Sequence, residues 1–208
     1  MSDPFSFITR PPVIPVLTIE QAADAVPLAR ALVEGGLPVL EVTLRTDAAL
    51  AALAAIARDV PEAVVGAGTV TKPEDIARAV DAGARYLVSP GTPPALAEAL
   101  TAAPLPAVPG CATVTEAMAL AARGFSLLKF FPAEACGGVA WLNAVVAPLP
   151  QMRFCPTGGI GANNAAAYLA LPNVAAVGGS WVAPKEALAS GDLARIRMLA
   201  RDAAALKA

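Results

Sequence analysis

Short β-branched runs alternate along the chain with longer segments rich in alanine and leucine. The run VIPVLT (residues 13–18) reads as a buried strand, and helically spaced apolar positions follow over residues 20–34. Gly35 and Gly36 end that helix in the way paired glycines do. LPVLEVTL (37–44) predicts the next strand, followed by a helix over 47–59. AVVGAGTV (63–70) comes next, then a helix over 73–82 that opens on Pro73, a residue suited to a first helical turn. The same rhythm continues through ARYLVSP (84–90), a helix over 93–102, LPAVPG (105–110) and a helix over 114–123. It goes on through FSLLKFFP (125–132), a helix over 139–147, QMRFCPTGG (151–159), a helix over 162–170 and NVAAVGGS (173–180). Helical segments fill the chain from residue 184 onward.

These are about eight strand–helix units, the number that closes a (β/α)8 barrel of the TIM type. The expected class is therefore α/β, with residues 1–208 forming a single compact barrel domain with short loops. An open doubly wound sheet is the alternative that strand counting leaves standing. No GxGxxG follows the first strand, which weighs against a dinucleotide site. No linker or shift in composition marks a second domain.

Composition narrows the function. Apolar residues make up 56 % of the 208 residues and charged residues 15 %. No apolar run reaches the roughly 18–20 residues that span a bilayer. The N-terminal segment lacks the basic start and long apolar stretch of a secretory signal, so the expected location is the cytoplasm and no membrane partner is expected. A formal charge of −2 without a Lys/Arg cluster argues against a nucleic-acid surface. Cys111, Cys136 and Cys155 show neither CxxC nor zinc-ligand spacing and read as reduced thiols. There is no histidine at all. A histidine-based triad and histidine-ligated metal sites are thereby excluded, and acid–base work falls to a carboxylate, lysine, tyrosine or water.

In a barrel, reactive groups gather at the C-terminal strand ends, and the unusual residues of this chain fall there. EVTLRT places Glu41, Thr43 and Arg45 at alternate positions of one strand face. Thr69 ends the third run, Ser89, Pro90 and Gly91 the fourth, while Lys129 and Phe131 lie in the sixth. Alone, Lys129 fits either an ammonium that snorkels to the rim or an amine held unprotonated for chemistry. Glu41 and Arg45 alone fit an ion pair without function. Together they form a polar cluster with a chemical meaning. An unprotonated amine attacks a carbonyl carbon, and the resulting iminium accepts the electrons of a breaking carbon–carbon bond. Glu41 is placed to move protons, and Arg45 to grip a substrate carboxylate in two-pronged fashion with help from Thr69. This chemistry needs no metal. With Glu41, Arg45 and Thr69 at neighbouring strand ends, the snorkelling alternative for Lys129 is rejected. Phe130 and Phe131 should point to opposite strand faces, with Phe131 sharing the inward face of Lys129.

Paired glycines also precede the predicted helices after the seventh and eighth runs: Gly158-Gly159 in PTGGIGANN and Gly178-Gly179 in VGGSW. Exposed N–H groups and helix starts there make an anion site, with Ser180 as an added hydroxyl donor; tight turns alone would use the same residues.

EVTLRT, GAGTV, VSPG, KFFPAE and PTGGI, in this order, closely resemble the 2-keto-3-deoxy-6-phosphogluconate (KDPG) aldolase family, which includes enzymes that also cleave 4-hydroxy-2-oxoglutarate (KHG). The resemblance runs from about Ile14 to Trp181, and KFFPAE is its most specific segment. It implies a class I aldolase on a (β/α)8 barrel, with Lys129 as the Schiff-base lysine and Glu41 as the proton shuttle. It implies that Arg45 and Thr69 hold the pyruvate carboxylate and that Pro90 and Phe131 line the pocket. Gly158, Gly159, Gly179 and Ser180 correspond to the phosphate-binding end, and Thr157 to a contact with substrate hydroxyls. No cofactor or metal is implied; the partner is a small phosphorylated keto acid, and a homotrimer is expected. The reaction implied is cleavage of 2-dehydro-3-deoxy-6-phosphogluconate to pyruvate and glyceraldehyde 3-phosphate in the Entner–Doudoroff pathway. The galactonate-derived epimer is the alternative substrate. A phosphate-binding barrel without a covalent lysine and a non-catalytic binding protein are the rival classes. Val114 departs from the family's usual proline, and a small change in how the chain enters that helix is expected.

Overall fold

A computed structural model of the chain describes Phe5, Ile8 and residues 11–206. Every run expected to be extended contains a strand. These are β1 Val13–Leu17, β2 Val39–Thr43, β3 Val64–Gly68, β4 Leu87–Val88, β5 Ala107–Val108, β6 Gly110–Cys111, β7 Leu127–Phe130, β8 Arg153–Pro156 and β9 Val177–Gly179. The fifth run is divided because Pro109 has no N–H to give to a ladder. Its carbonyl still accepts from Lys129 N at 2.9 Å. All the ladders are parallel. They run in the orders β5-β4-β3-β2-β1-β9 and β6-β7-β8. Parallel bridges pair Phe154 with Val174 and Thr157 with Gly178, bringing the β8 run beside β9. The fold is α/β, with a curled parallel sheet.

The helices among the described residues are α1 Ala25–Glu34, α2 Ala49–Asp59, α3 Glu74–Asp81, α4 Pro94–Thr101, α5 Val114–Ala121, α6 Gly138–Val145, α7 Ala165–Leu169, α8 Lys185–Ala189 and α9 Leu193–Ala204. None is long and apolar enough to cross a membrane. Two differ from expectation for local reasons. The segment expected as one helix over 20–34 starts with a 3-10 turn, Ala22–Asp24, before α1. The helix expected over 162–170 is reduced to α7, because Asn164 bends residues 161–164 into a turn by accepting from Gly161 N at 2.8 Å. At Val114, the missing proline is offset by a capping box: Thr113 Oγ1 accepts from Glu116 N, and the Glu116 carboxylate accepts from Thr113 N.

Strand alternation sorts the core into two layers. Val13, Leu40, Leu128, Phe154 and Val177 face the helices and pack with Leu32, Leu53, Ile56 and Leu142. Their strand neighbours Ile14, Val39, Leu127, Cys155 and Ala176 form a separate inner cluster with Tyr86, Val88 and Val108. Glu41, two residues after Val39, and Lys129, two after Leu127, inherit that inner face. On the helix side, Phe130 stacks on Trp141 of α6 with ring centroids 4.2 Å apart, and Trp141 meets Phe154 edge-on at 5.5 Å. The expected divergence of Phe130 from Lys129 follows from the same alternation. Replacing Phe154 by Ala should empty a site closed on both sides and cost about 3–5 kcal/mol. A urea titration should show a lower midpoint at unchanged m, and a loss under about 1 kcal/mol would contradict this packing.

Candidate active site

Two charged side chains meet inside the curl of the sheet. Lys129 Nζ donates to Glu41 Oε1 at 2.9 Å, and the two side chains are only 3 % and 5 % exposed. Parallel register sets the height of each: Lys129 pairs with Gly110 and Cys155, and Glu41 with Val16 and Gly66. Lys129 Nζ also lies 5.5 Å from the centre of the Phe131 ring, so these two share a face as expected. Gly68 makes room for the carboxylate. A Cβ there would lie 2.5 Å from Glu41 Cγ and would overlap its Oε1.

The floor under the pair is narrow and largely apolar. Glu41 and Lys129 line a void of about 10 Å³ with Ile8, Ile14, Tyr86, Val88, Val108 and Cys155. Tyr86 donates its hydroxyl to Leu40 O at 2.8 Å; burial first, and the Glu41 charge next, hold its pKa well above the phenol range. Burial pushes the Cys155 and Cys111 thiols up to about 12, and all three cysteines are free thiols. Neither buried thiol is a nucleophile near neutral pH.

Lys129 also opens in the other direction, onto a cleft of about 680 Å³. The cleft is lined by most of the residues predicted for the site: Arg45, Lys129, Phe131, Thr157, Gly158, Gly159, Gly179 and Ser180. Glu41, Thr69 and Pro90 stand outside that lining. Glu41 reaches it through Lys129, and Thr69 through Arg45, whose Nε donates to Thr69 Oγ1 at 3.0 Å. Thr69 has φ 58°, left-handed backbone that a β-branched residue adopts at a cost of about 1–2 kcal/mol. Pro90 is half-buried and leans on the fifth run, where a Cβ on Gly110 would overlap its carbonyl. Arg45 is exposed beyond the end of β2, whereas Glu41 is buried within it, the two depths expected of alternate residues.

The glycine pairs are unlike each other. Gly158 and Gly159 have φ of 102° and 78°, a turn that aims successive backbone groups at the cleft. Gly178 and Gly179 belong to β9 and serve close packing: Thr157 fills the space over Gly178, and the Trp181 ring lies across Gly179. Neither pair abuts a helix start, since α7 and α8 begin at Ala165 and Lys185. The residues expected at the anion end are therefore turn and strand-end groups and Ser180 along the cleft, with no helix start directly behind them.

Sequence reasoning passed over Thr18, Trp181 and Lys185, which also line the cleft. Thr18 follows the last apolar residue of the first run, a position that strand-end logic could have flagged. Thr92 was missed too; it ties the fourth run to the fifth, with Thr92 Oγ1 donating to Gly110 O at 2.9 Å while Ser89 Oγ accepts from Gly110 N at 3.1 Å.

A buried lysine–carboxylate pair stands at the foot of an open cleft in a curled parallel sheet, an arrangement suited to amine chemistry on a carbonyl. A family model described as KDPG and KHG aldolase matches residues 6–199. The KHG/KDPG aldolase of Escherichia coli K12 is 50 % identical over 198 residues, covering 95 % of this chain and 93 % of that one. The 2-dehydro-3-deoxy-phosphogluconate aldolase of Dickeya dadantii is 50 % identical over the same length and coverage. A crystal structure of KDPG aldolase from Legionella pneumophila, with pyruvate captured as a covalent carbinolamine, superposes with a TM-score of 0.95 at 44 % identity, covering 98 % of this chain and 99 % of that one. The chain belongs to the KDPG and KHG aldolase family.

The pair's energetics are testable apart from activity. Glu41→Ala or Lys129→Ala each leave a buried charge without its partner and should cost about 3–5 kcal/mol. The double replacement Glu41→Leu/Lys129→Met should be more stable than either single variant in a urea titration; a double variant less stable than both would refute this balance.

Proposed function

We propose that this chain is a Schiff-base aldolase that cleaves 2-dehydro-3-deoxy-6-phosphogluconate to pyruvate and glyceraldehyde 3-phosphate, and 4-hydroxy-2-oxoglutarate to pyruvate and glyoxylate. The observation that carries this reading is the Lys129–Glu41 contact of 2.9 Å at the base of the cleft. Glu41 takes a proton from the Lys129 ammonium, and the free amine adds to the C2 ketone of the substrate. Glu41 returns the proton as the carbinolamine loses water, leaving an iminium. Glu41, again a carboxylate, takes the proton of the C4 hydroxyl as the C3–C4 bond breaks, the bonding electrons move into an enamine, and the aldehyde leaves. Glu41 then delivers that proton to the enamine carbon, and hydrolysis releases pyruvate and restores the amine. The Phe131 ring shields the iminium from water.

Arg45, steadied by Thr69, holds the keto-acid carboxylate. Pro90 shapes the wall beside it, and Thr157 meets the substrate hydroxyls. Gly158, Gly159, Gly179 and Ser180 receive the phosphate. The names of the relatives favour the gluconate epimer over the galactonate one. We further infer that the curled sheet closes through the bridge from Thr157 to Gly178 into one eight-stave barrel domain, the divided fifth run counting as a single stave. The setting is the Entner–Doudoroff pathway in the cytoplasm.

Pyruvate and borohydride should irreversibly add pyruvate's mass to the peptide containing Lys129. Lys129→Ala should abolish the adduct, and Glu41→Gln should lower turnover about 10²–10⁴-fold. An adduct elsewhere, or none on folded protein, would overturn the reading. We also propose a homotrimer, supported by Val114 and Met118, four residues apart on α5 and 37 % and 56 % exposed. Sedimentation should give three times the monomer mass, and Met118→Lys should lower it; a monomeric wild type would refute this.

A further inference from the structure

Behind the glycine turn lies a pair of side chains for which the reaction above has no use. Tyr168 of α7 is fully buried, and its hydroxyl donates to Glu134 Oε1, although the rest of Glu134 is exposed. Glu134 is the last residue of KFFPAE and opens a 3-10 turn, Glu134–Cys136, after β7. Neither residue lines the cleft. Glu134 instead presses on the turn that does, and Tyr168 reaches that turn through Glu134. A Cβ on Gly159 would lie 2.6 Å from Glu134 Cγ, so the carboxylate stem packs flat on the glycine. A Cβ on Gly138 would lie 2.8 Å from the Tyr168 hydroxyl, so a second glycine clears space for the phenol.

Backbone bonds fasten the same two loops. Ala133 N donates to Thr157 O at 2.8 Å, and Glu134 N donates to Gly158 O at 3.1 Å. On the far side, Asn164 Nδ2 donates to Gly159 O at 3.1 Å. The loop that follows Lys129 is thus stitched strand-like to the turn that faces the cleft, and the Glu134–Tyr168 bond ties both to α7.

We propose that Glu134 and Tyr168 are positioning residues that lock the Gly158-Gly159 turn to the loop following Lys129. The anion-binding end of the cleft and the reacting amine then keep one fixed spacing. This rests on the aldolase reading above and assigns the pair to the phosphate end alone. Burial first, and the bond to Glu134 next, push the Tyr168 hydroxyl above the ordinary phenol range, so it stays a donor at any working pH. With the bond broken, the turn keeps its backbone bonds but loses the side-chain brace, and its N–H groups no longer converge on one phosphate position.

The test compares two substrates of the same enzyme. 4-Hydroxy-2-oxoglutarate carries no phosphate, and its distal carboxylate, at C5, ends short of where a phosphate on O6 reaches, so it reports on the amine and the fold. Tyr168→Phe and Glu134→Ala should each raise KM for 2-dehydro-3-deoxy-6-phosphogluconate about tenfold with kcat held within about twofold. KM and kcat for 4-hydroxy-2-oxoglutarate should not change. Glu134→Gln, whose amide oxygen still accepts from the phenol, should stay within about threefold of wild type, and the double variant should be no worse than the singles. Equal losses on both substrates, additive losses in the double variant, or an unchanged KM for the phosphorylated substrate would each overturn the proposal. If Tyr168→Phe does not fold, the contrast between Glu134→Ala and Glu134→Gln decides alone. Failure of the wild type to form a borohydride-trapped pyruvate adduct would instead sink the aldolase reading, before any variant is made.

Discussion

An ammonium and a carboxylate held 2.9 Å apart inside an apolar sheet set the terms for everything around them. Removing both charges from water costs several kcal/mol each, and their mutual attraction only roughly repays it. A chain that keeps such a pair spends stability on it. What it gains is a lysine and a carboxylate in direct contact and shielded from bulk water. The rest of the architecture serves that contact. Parallel register fixes the height of each side chain, the inner apolar cluster closes the floor, and strand ends carry Arg45, Phe131 and Thr157 around the opening.

Much of this was legible in the chain because two simple periodicities govern it. Alternation along the strands set Glu41 and Lys129 on the inner face, turned Phe130 away from Phe131, and gave Arg45 a different depth from Glu41. The segment order predicted parallel strands with intervening helices, and the parallel ladders follow it. The absence of histidine left acid–base work to a carboxylate, lysine, tyrosine or water. Of the two glycine pairs singled out in the sequence, Gly158-Gly159 make a left-handed turn and Gly178-Gly179 lie within β9.

The rest was hidden because it depends on contacts between distant segments. The division of the fifth run follows from Pro109, yet its effect on the ladder needs both neighbours in place. The left-handed backbone of Thr69 contradicts the local preference of a β-branched residue, so no propensity argument would place it there. The helix start expected at residue 162 moved to Ala165 behind the turn over residues 161–164, whereas α8 starts within one residue of the expected Pro184. Gly179 lines the cleft as expected, but the Trp181 ring packs across its α-carbon, a contact that spacing alone does not announce.

Gly68 makes a broader point about what holds a buried charge in place. It has no side chain and would be passed over in any inventory of reactive residues, yet the Glu41 carboxylate occupies the volume its methyl would take. The place of that carboxylate is thus defined by two positions, one that supplies atoms and one that withholds them. A methyl at residue 68 would push the carboxylate away from Lys129 even where the backbone itself accepts alanine.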